Sequence, residues 1–332
     1  MLNAKNIKKM EKKQYTPIVI ESLIFGKNSD YPLYLKSGDN YILYRSKALI
    51  FSQSDALRLK NNGVENLYIE TKDKEKYDND MLEHIEYIIK SPDYNFEEKA
   101  VKIYMYSKIY AEYVITTGNL KDNKENIKKS IETTIEYLLM SESAFMNLLN
   151  LSSYDYNEVG HGMNVSIYAM ALANRLGFSG KISLYEIGFA GLTHDIGKLK
   201  IPREILSKNG LSEKEAEEIK MHPIYSKEIL TVNGIDNKNI IKGVLEHHEA
   251  SNGTGYPFGK MEEDISTYGK IIIIANRFDS LTRNRPYRIK MSVPDALNIM
   301  EKNSELYSGA FLKEFIILMS KKNLIGDMMP QQ

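Results

Sequence analysis

The sequence predicts a mainly α protein. A small α/β unit over residues 1–75 precedes a helical connector over 76–150, an all-helical domain over 151–322 and a tail over 323–332. Three observations carry this. Short runs of β-type residues, divided by turn residues, fill the chain up to about residue 70. From about residue 80 the apolar residues recur at spacings of three and four, the helical period. In the last part of the chain Gly and Pro fall mostly between these stripes, as loop residues do.

In the first unit "PIVIESLIF", "YPLYL" and "NYILY" read as strands, separated by "GKNSD" and "KSGDN". "SQSDALRLKNNGVENLYI" reads as a short helix with a Ser/Asp start and a stop at Asn62-Gly63, followed by a strand ending at Ile69. The charged stretch "ETKDKEKYDND" reads as a loop-like boundary. Beyond it, Phe96, Ala100, Ile103 and Tyr104 share one helical face, and Ile127, Ile131, Ile135 and Leu138 another. Both stripes read as helix packing. "TTGNLKDNKEN" separates these two helices, and "MMPQQ" reads as a frayed end.

The length of 332 residues fits roughly two domains. Lys+Arg and Asp+Glu balance at 44 each, so no net field draws a nucleic acid polymer or an anionic membrane. The chain has no Cys, which excludes disulfides, thiolate metal sites and cysteine nucleophiles and fits a cytoplasmic protein. The basic start runs into "YTPIVIESLIFG", an apolar run broken by Glu21 that reads as a strand rather than a signal peptide. No window approaches the ~18 apolar residues of a membrane helix.

The chemistry is concentrated in the histidines. Of the six, His84 reads as a surface residue. The other five, His161, His194, His222, His247 and His248, lie within one stretch of under a hundred residues, each at the end of a predicted helix. Asp195 adjoins His194 in "LTHDIGKLKIP". Neutral imidazole with carboxylate suits Fe, Mn, Co, Ni or Zn, and the lack of thiolate argues against a structural zinc knot. Five imidazoles and a carboxylate exceed the needs of one tetrahedral ion. Two ions about 3.5–4 Å apart would use them, with Asp195 as the bridge, and a hydroxide shared by such ions attacks phosphorus.

The flanking loops fit a phosphate ester. In "HHEASNGTGYPFG", Gly253 and Gly255 permit conformations closed to other residues, Pro257 fixes a turn, and Tyr256 is presented close to the metals. "IIIIANRFDSLTRNRPYR" reads as a buried helix entering a basic loop, where Arg285 and Arg288 offer forks that match phosphate oxygens or the guanine edge. Without the histidine set the same loop would read as a solvated charge cluster. Lys198, one helical turn beyond His194, is a point charge within reach of a phosphate.

Together "HDIGK" at 194–198, His222, "HHE" at 247–249, "GTGYP" at 253–257 and "RPYR" at 285–288 resemble the HD-GYP family, phosphodiesterases of cyclic di-GMP within the HD-domain superfamily. The resemblance covers about residues 150–320. It implies an all-helical HD-GYP-type domain with two, sometimes three, metals, often iron or manganese. It places metal ligands at His161, His194, Asp195, His222, His247, His248 and Asn276, with Asp195 and Lys198 in the catalytic set. Lys198, Tyr256, Arg285 and Arg288 match substrate-contacting positions. The implied reaction opens cyclic di-GMP to pGpG by attack of a metal-bridging hydroxide, with a further step to GMP left open. Residues 1–150 carry no such match. By the family's usual architecture they imply a regulatory unit, with a homodimer contact and a signalling partner both open as its use.

Two departures from the family pattern stand out. Asn276, in "ANRF", replaces the Asp expected as a ligand, and Asp279 three residues on is the nearest replacement carboxylate on that face. Asn157 stands where three-metal members carry Glu, so two ions are expected. Asn252 for the commoner Asp is a lesser change. The loss of the Asp also leaves open a receptor that binds cyclic di-GMP with weakened catalysis, and a hydrolase acting on another cyclic nucleotide.

Overall fold

A computed structural model describes residues 13–92, 94–141, 144, 146–149, 160–208, 210–283 and 291–326. The chain divides into two compact units, Met1–Ser91 and Pro92–Gln332. The protein is mainly helical, with one small antiparallel sheet in its first unit.

That sheet contains β1 (Tyr15–Val19), β2 (Leu33–Ser37), β3 (Asn40–Arg45) and β4 (Asn66–Glu70), in the order β1-β4-β2-β3. Its registers pair Ile18 with Leu67 and Leu35 with Ile42. The predicted strand over "PIVIESLIF" stops at Val19, and Ile20–Ser22 turns as a 3-10 segment that buries Ile20. Helix α1 (Gln53–Asn61) starts where Ser52 and Asp55 form a reciprocal capping box, and it stops at Asn62 with Gly63 at φ +75°.

The charged boundary is helix rather than loop: α2 spans Lys74–Lys90. Its charges lie along the exposed side, with Lys74 bonded to Asp78 one turn on. Its inner side is buried Tyr77, Met81, Ile85 and Ile88, at the spacings of a helix face. Tyr77 shares a hydrogen bond with Ser22 at 2.5 Å and meets the ring of Tyr31 edge-on. His84 belongs to the buried side too, at 4% exposure, and its Nδ1–H donates to the Asp80 carbonyl at 2.6 Å. The expectation of a surface histidine is therefore wrong; a charge-rich neighbourhood concealed the apolar period.

In the second unit α3 (Phe96–Thr117) and α4 (Lys124–Met140) are joined through Gly118, whose φ of +64° closes the first helix. Helix α5 (Gly160–Arg175) is buried from Gly160 through Ala173, as a helix with no polar face must be. Helices α3, α4 and α6 (Lys181–Thr193) pack on it. After α6 come a 3-10 segment (Ile196–Lys200), the short α7 (Arg203–Leu206), α8 (Glu213–Lys220), α9 (His222–Val232) and α10 (Lys238–Glu246). The isoleucine-rich α11 (Thr267–Thr282) also covers α5, followed by α12 (Val293–Lys302) and α13 (Gly309–Gly326). Phe278 of α11 anchors this packing, edge-on to Tyr168 at 5.1 Å and to Phe315 at 5.1 Å.

One contact decides where the site forms. The 3-10 segment lies directly against α9, and a Cβ at Gly197 would stand 2.0 Å from the His222 carbonyl oxygen and 2.4 Å from Ser226 N. The Gly197 N–H donates to Ser226 Oγ at 2.8 Å, and that hydroxyl donates to the His194 carbonyl at 2.7 Å. Only glycine allows this approach. Gly197→Ala should cost about 3 kcal/mol or more, because a backbone carbonyl cannot yield as a side chain does. Gly180→Ala, whose new atom would find only Ser183 Oγ at 3.9 Å, should cost under about 1 kcal/mol. Urea unfolding measures both, and equal losses would contradict the packing argument.

Candidate metal centre

The helix ends deliver the histidines. His161 is the second residue of α5, His194 directly follows α6, His222 opens α9, and His247 directly follows α10. Three rings are fixed by their own backbone. The Nδ1 of His194 lies 2.8 Å from the Gly191 carbonyl oxygen, that of His222 lies 2.7 Å from Ile219 O, and that of His247 lies 2.6 Å from Val244 O. A carbonyl can only accept, so each Nδ1 carries the proton and each Nε2 is left as a bare lone pair. His161 reaches the same state by another route, with Nδ1 2.6 Å from Asp279 Oδ2.

These lone pairs point at one another. His161 Nε2 is 3.2 Å from His194 Nε2, and His222 Nε2 is 3.0 Å from His247 Nε2. Asp195 adds acceptors, with Oδ2 3.4 Å from His161 Nε2 and 3.5 Å from His194 Nε2, and Oδ1 3.1 Å from His222 Nε2. The last approach would be a hydrogen bond if His222 carried a proton on Nε2, but that proton is on Nδ1. Asp195 Oδ1 is accordingly buried without a hydrogen-bond partner. Two groups of ligand atoms result, each within 4.8 Å: His161, His194 and Asp195, and Asp195, His222, His247 and His248. Asp195 is common to both.

The electrostatics agree. Burial pushes His194 down to about 3 against the pull of Asp195, and holds His247 and His248 well below the usual histidine range. Burial alone would raise the Asp195 carboxyl; Lys198, 2.6 Å away, and the histidines outweigh it and hold the group well below the carboxylate range. Neutral imidazoles and an ionised carboxylate converging in a buried space are the donor set of a divalent transition cation. The residues present fit such ions.

Tyr256 sits where the glycine loop predicts. Its ring stacks on His248 with centroids 4.6 Å apart, and its N–H donates to the His248 carbonyl at 3.0 Å. Burial raises its phenol well above the usual range, with the charge of Asp195 adding to the effect. Gly253 has φ +77° as expected, while Gly255 is required for space instead: its Cβ would stand 2.3 Å from Ala250 N. The Tyr256–Pro257 peptide is cis. Asn252 Oδ1 accepts from Thr254 N and Oγ1, a turn that either amide or carboxylate can cap.

Other expectations need correction. Lys198 lies on the 3-10 segment after a break at Asp195, not on the helix that ends before His194. Asp279 is outside both ligand groups and instead holds His161: its Oδ2 accepts from His161 and its Oδ1 accepts from Asn164 Nδ2 at 2.9 Å. Asn276 is buried on α11, one turn before Asp279. Asp195 is thus the one carboxylate of the two ligand groups among the described residues. Arg285, Arg288, Asn157 and "MMPQQ" lie outside the described residues.

Two buried carboxylates escaped the sequence reading. Glu249 accepts from Phe258 N at 2.8 Å and Lys260 N at 2.9 Å, tying down the loop that bears Tyr256. Glu246 accepts from Ser266 N at 2.9 Å, linking the end of α10 to the start of α11. The Glu beside the His doublet was the available signal for the first; nothing local marked the second.

Comparison with known proteins places the chain in a family. The HD domain family model matches residues 139–310. A cyclic di-GMP phosphodiesterase of Pseudomonas aeruginosa is 28% identical over 219 residues, 66% of this chain and 51% of that protein. A 3'3'-cGAMP-specific phosphodiesterase of Vibrio cholerae is 36% identical over 169 residues, 51% of this chain and 36% of that protein. A cyclic di-GMP phosphodiesterase of Thermotoga maritima is 31% identical over 207 residues, 60% of this chain and 56% of that protein. The chain thus spans about half the length of the curated relatives it matches, or less. Bd1817, an HDG"Y"P protein from Bdellovibrio bacteriovorus, shares the fold with a TM-score of 0.72 at 21% identity, over 92% of this chain and all of that one. No helix among the described residues is long and apolar enough to cross a membrane. With its family model matched over more than half its length and its histidines, Asp195 and Tyr256 loop in the order of the motifs, the chain belongs to the HD-domain family, in its HD-GYP branch.

Proposed function

We propose that the chain is a metal-dependent phosphodiesterase that opens cyclic di-GMP to pGpG, the end product being pGpG or GMP. The observation that supports this most is Asp195, one carboxylate shared by two sets of bare imidazole nitrogens. His161 and His194 would hold one ion and His222, His247 and His248 the other, with Fe or Mn as the ions these donors suit. Bound there, such ions supply Lewis acidity toward phosphate oxygens and lower the pKa of water.

The chain's own residues do the rest. The backbone carbonyls of Gly191, Ile219 and Val244 hold protons on Nδ1 and so keep Nε2 free of them. Asp195 and Lys198 form the catalytic pair of this reading. The Lys198 ammonium rests on Asp195 Oδ2 with its side chain 37% exposed, so it is placed to turn toward a phosphate oxygen as charge builds there. Tyr256, with its phenol held protonated, is a hydrogen-bond donor that orients the ligand beside His248. Arg285 and Arg288 would clamp phosphate or guanine. Residues 1–75 would regulate this domain through the connector over 76–150, by a homodimer contact or a signalling partner, in the cytoplasm.

Two other readings have specific support. Asn276 gives the site a neutral amide where its family carries a carboxylate, which favours a receptor with weakened turnover. The cGAMP-specific relatives favour a different cyclic dinucleotide. Incubation of the Mn²⁺-loaded chain with cyclic di-GMP, 3'3'-cGAMP and a phosphomonoester separates the three. The expected result is cyclic di-GMP cleaved fastest and a loss of about a thousandfold or more in His194→Ala, the scale on which removing a group of the catalytic machinery acts. Cyclic di-GMP left uncut by both proteins ends the proposal. Asn276→Asp should tighten Mn²⁺ binding about tenfold or more by adding an anionic donor at the site. Unchanged affinity and turnover in that variant, by calorimetry and product assay, would remove Asn276 from the ligand set.

A further inference from the structure

His161 differs from its neighbours in what fixes it. His194, His222 and His247 each lean on a carbonyl three residues back in their own chain segment. His161 leans on a side chain from another helix, and that side chain leads further. Asp279 Oδ2 accepts from His161 Nδ1 at 2.6 Å, and Asp279 Oδ1 accepts from Asn164 Nδ2 at 2.9 Å. Asn164 Oδ1 in turn accepts from the Tyr104 hydroxyl at 2.8 Å. The four side chains belong to residues 6%, 1%, 1% and 4% exposed, for His161, Asp279, Asn164 and Tyr104. His161 and Asn164 are three apart on α5 and share a face. Asp279 is on α11 and Tyr104 on α3. One buried line of hydrogen bonds thus joins three helices and ends on a nitrogen of the site.

The chemistry of each link sets the next. An amide has a donating and an accepting end, and the Tyr104 donor holds the oxygen of Asn164 toward α3. That leaves its NH2 for Asp279. Asp279 then faces donors on both oxygens and is held as the acceptor for His161 Nδ1–H. The ring is turned so that Nε2 faces His194 Nε2 and Asp195 Oδ2. Buried links of this kind are strong when complete and costly when one partner is removed.

We propose that Tyr104 and Asn164 are positioning residues for His161, and that through them the His161/His194/Asp195 half of the site responds to the placement of α3. This rests on reading those three residues as metal ligands. In the other half His222 and His247 have their own local supports, on carbonyls of their own segments. In the chain α3 comes directly after the N-terminal unit, so a helix adjoining that unit in sequence is joined to the site by this line.

Calorimetric titration of the full chain with Mn²⁺ tests this. His161→Ala identifies the binding event that belongs to its half of the site. Tyr104→Phe removes one hydroxyl and keeps the ring; two links short of His161, it should weaken that event about threefold or more, less than the tenfold or more that loss of the histidine's direct partner gives, while the other event changes less. Asn164→Ala should weaken the same event at least as much. Tyr110→Phe, a buried hydroxyl of the same helix outside this line, should leave both events unchanged. Two wild-type events left unaltered by Tyr104→Phe, or weakened alike, would overturn the inference alone. A wild-type chain that takes up no Mn²⁺ would overturn the metal reading and this inference with it.

Discussion

Four imidazole nitrogens with free lone pairs face one another across about one hydrogen-bond length, and a buried carboxylate lies among them. No arrangement of the protons already assigned to Nδ1 satisfies these groups. Acceptors set against acceptors in a space of low dielectric repel, and burying them unpaired costs folding free energy. Two positive charges inside the cluster would turn that repulsion into coordination. The rest of the second unit can be understood as the framework that brings the acceptors together in spite of their repulsion.

The framework works by ending helices. Three of the clustered rings sit at the first residue of a helix or directly after the last, where a backbone carbonyl is free to take the Nδ1 proton. The segment that carries Asp195 is then pressed against α9 by Gly197 and Ser226, and this closes the distance between the two histidine pairs. On the other side Glu249 holds the loop that stacks Tyr256 on His248. Ordinary apolar packing around α5 and Phe278 supplies the stability that lets this polar centre exist. One shared carboxylate is an economical design with a consequence. With Asn276 neutral, the balance of charge at the centre falls on Asp195, and on whatever anion the substrate brings.

Much of this was legible in the residues. The helical period marked the stripes of α3 and α4, Asn62-Gly63 marked a helix end, and "TTGNLKDNKEN" marked the break between two helices, because those signals are local. The five histidines were legible as a set because their number and doublets exceed what packing explains. The rest depended on contacts remote in sequence. His84 and Tyr77 were hidden in a run of charges, since a helix can bury one side and solvate the other. Asp279 looked like a spare ligand, and only its distance to His161, 118 residues away, shows it as the acceptor that holds that ring. Tyr104 looked like packing because its hydroxyl partner lies on another helix. Gly255 was assigned to backbone freedom, and the actual constraint is the backbone of Ala250 beside it.

Electron paramagnetic resonance of the chain titrated with Mn²⁺ under anaerobic conditions addresses the shared carboxylate most directly. Two ions bridged through Asp195 should give a spin-coupled spectrum at two equivalents per chain, and Asp195→Asn should abolish the coupling. A spectrum of isolated, uncoupled ions at every stoichiometry, or of Mn²⁺ that remains free in solution, would contradict the account.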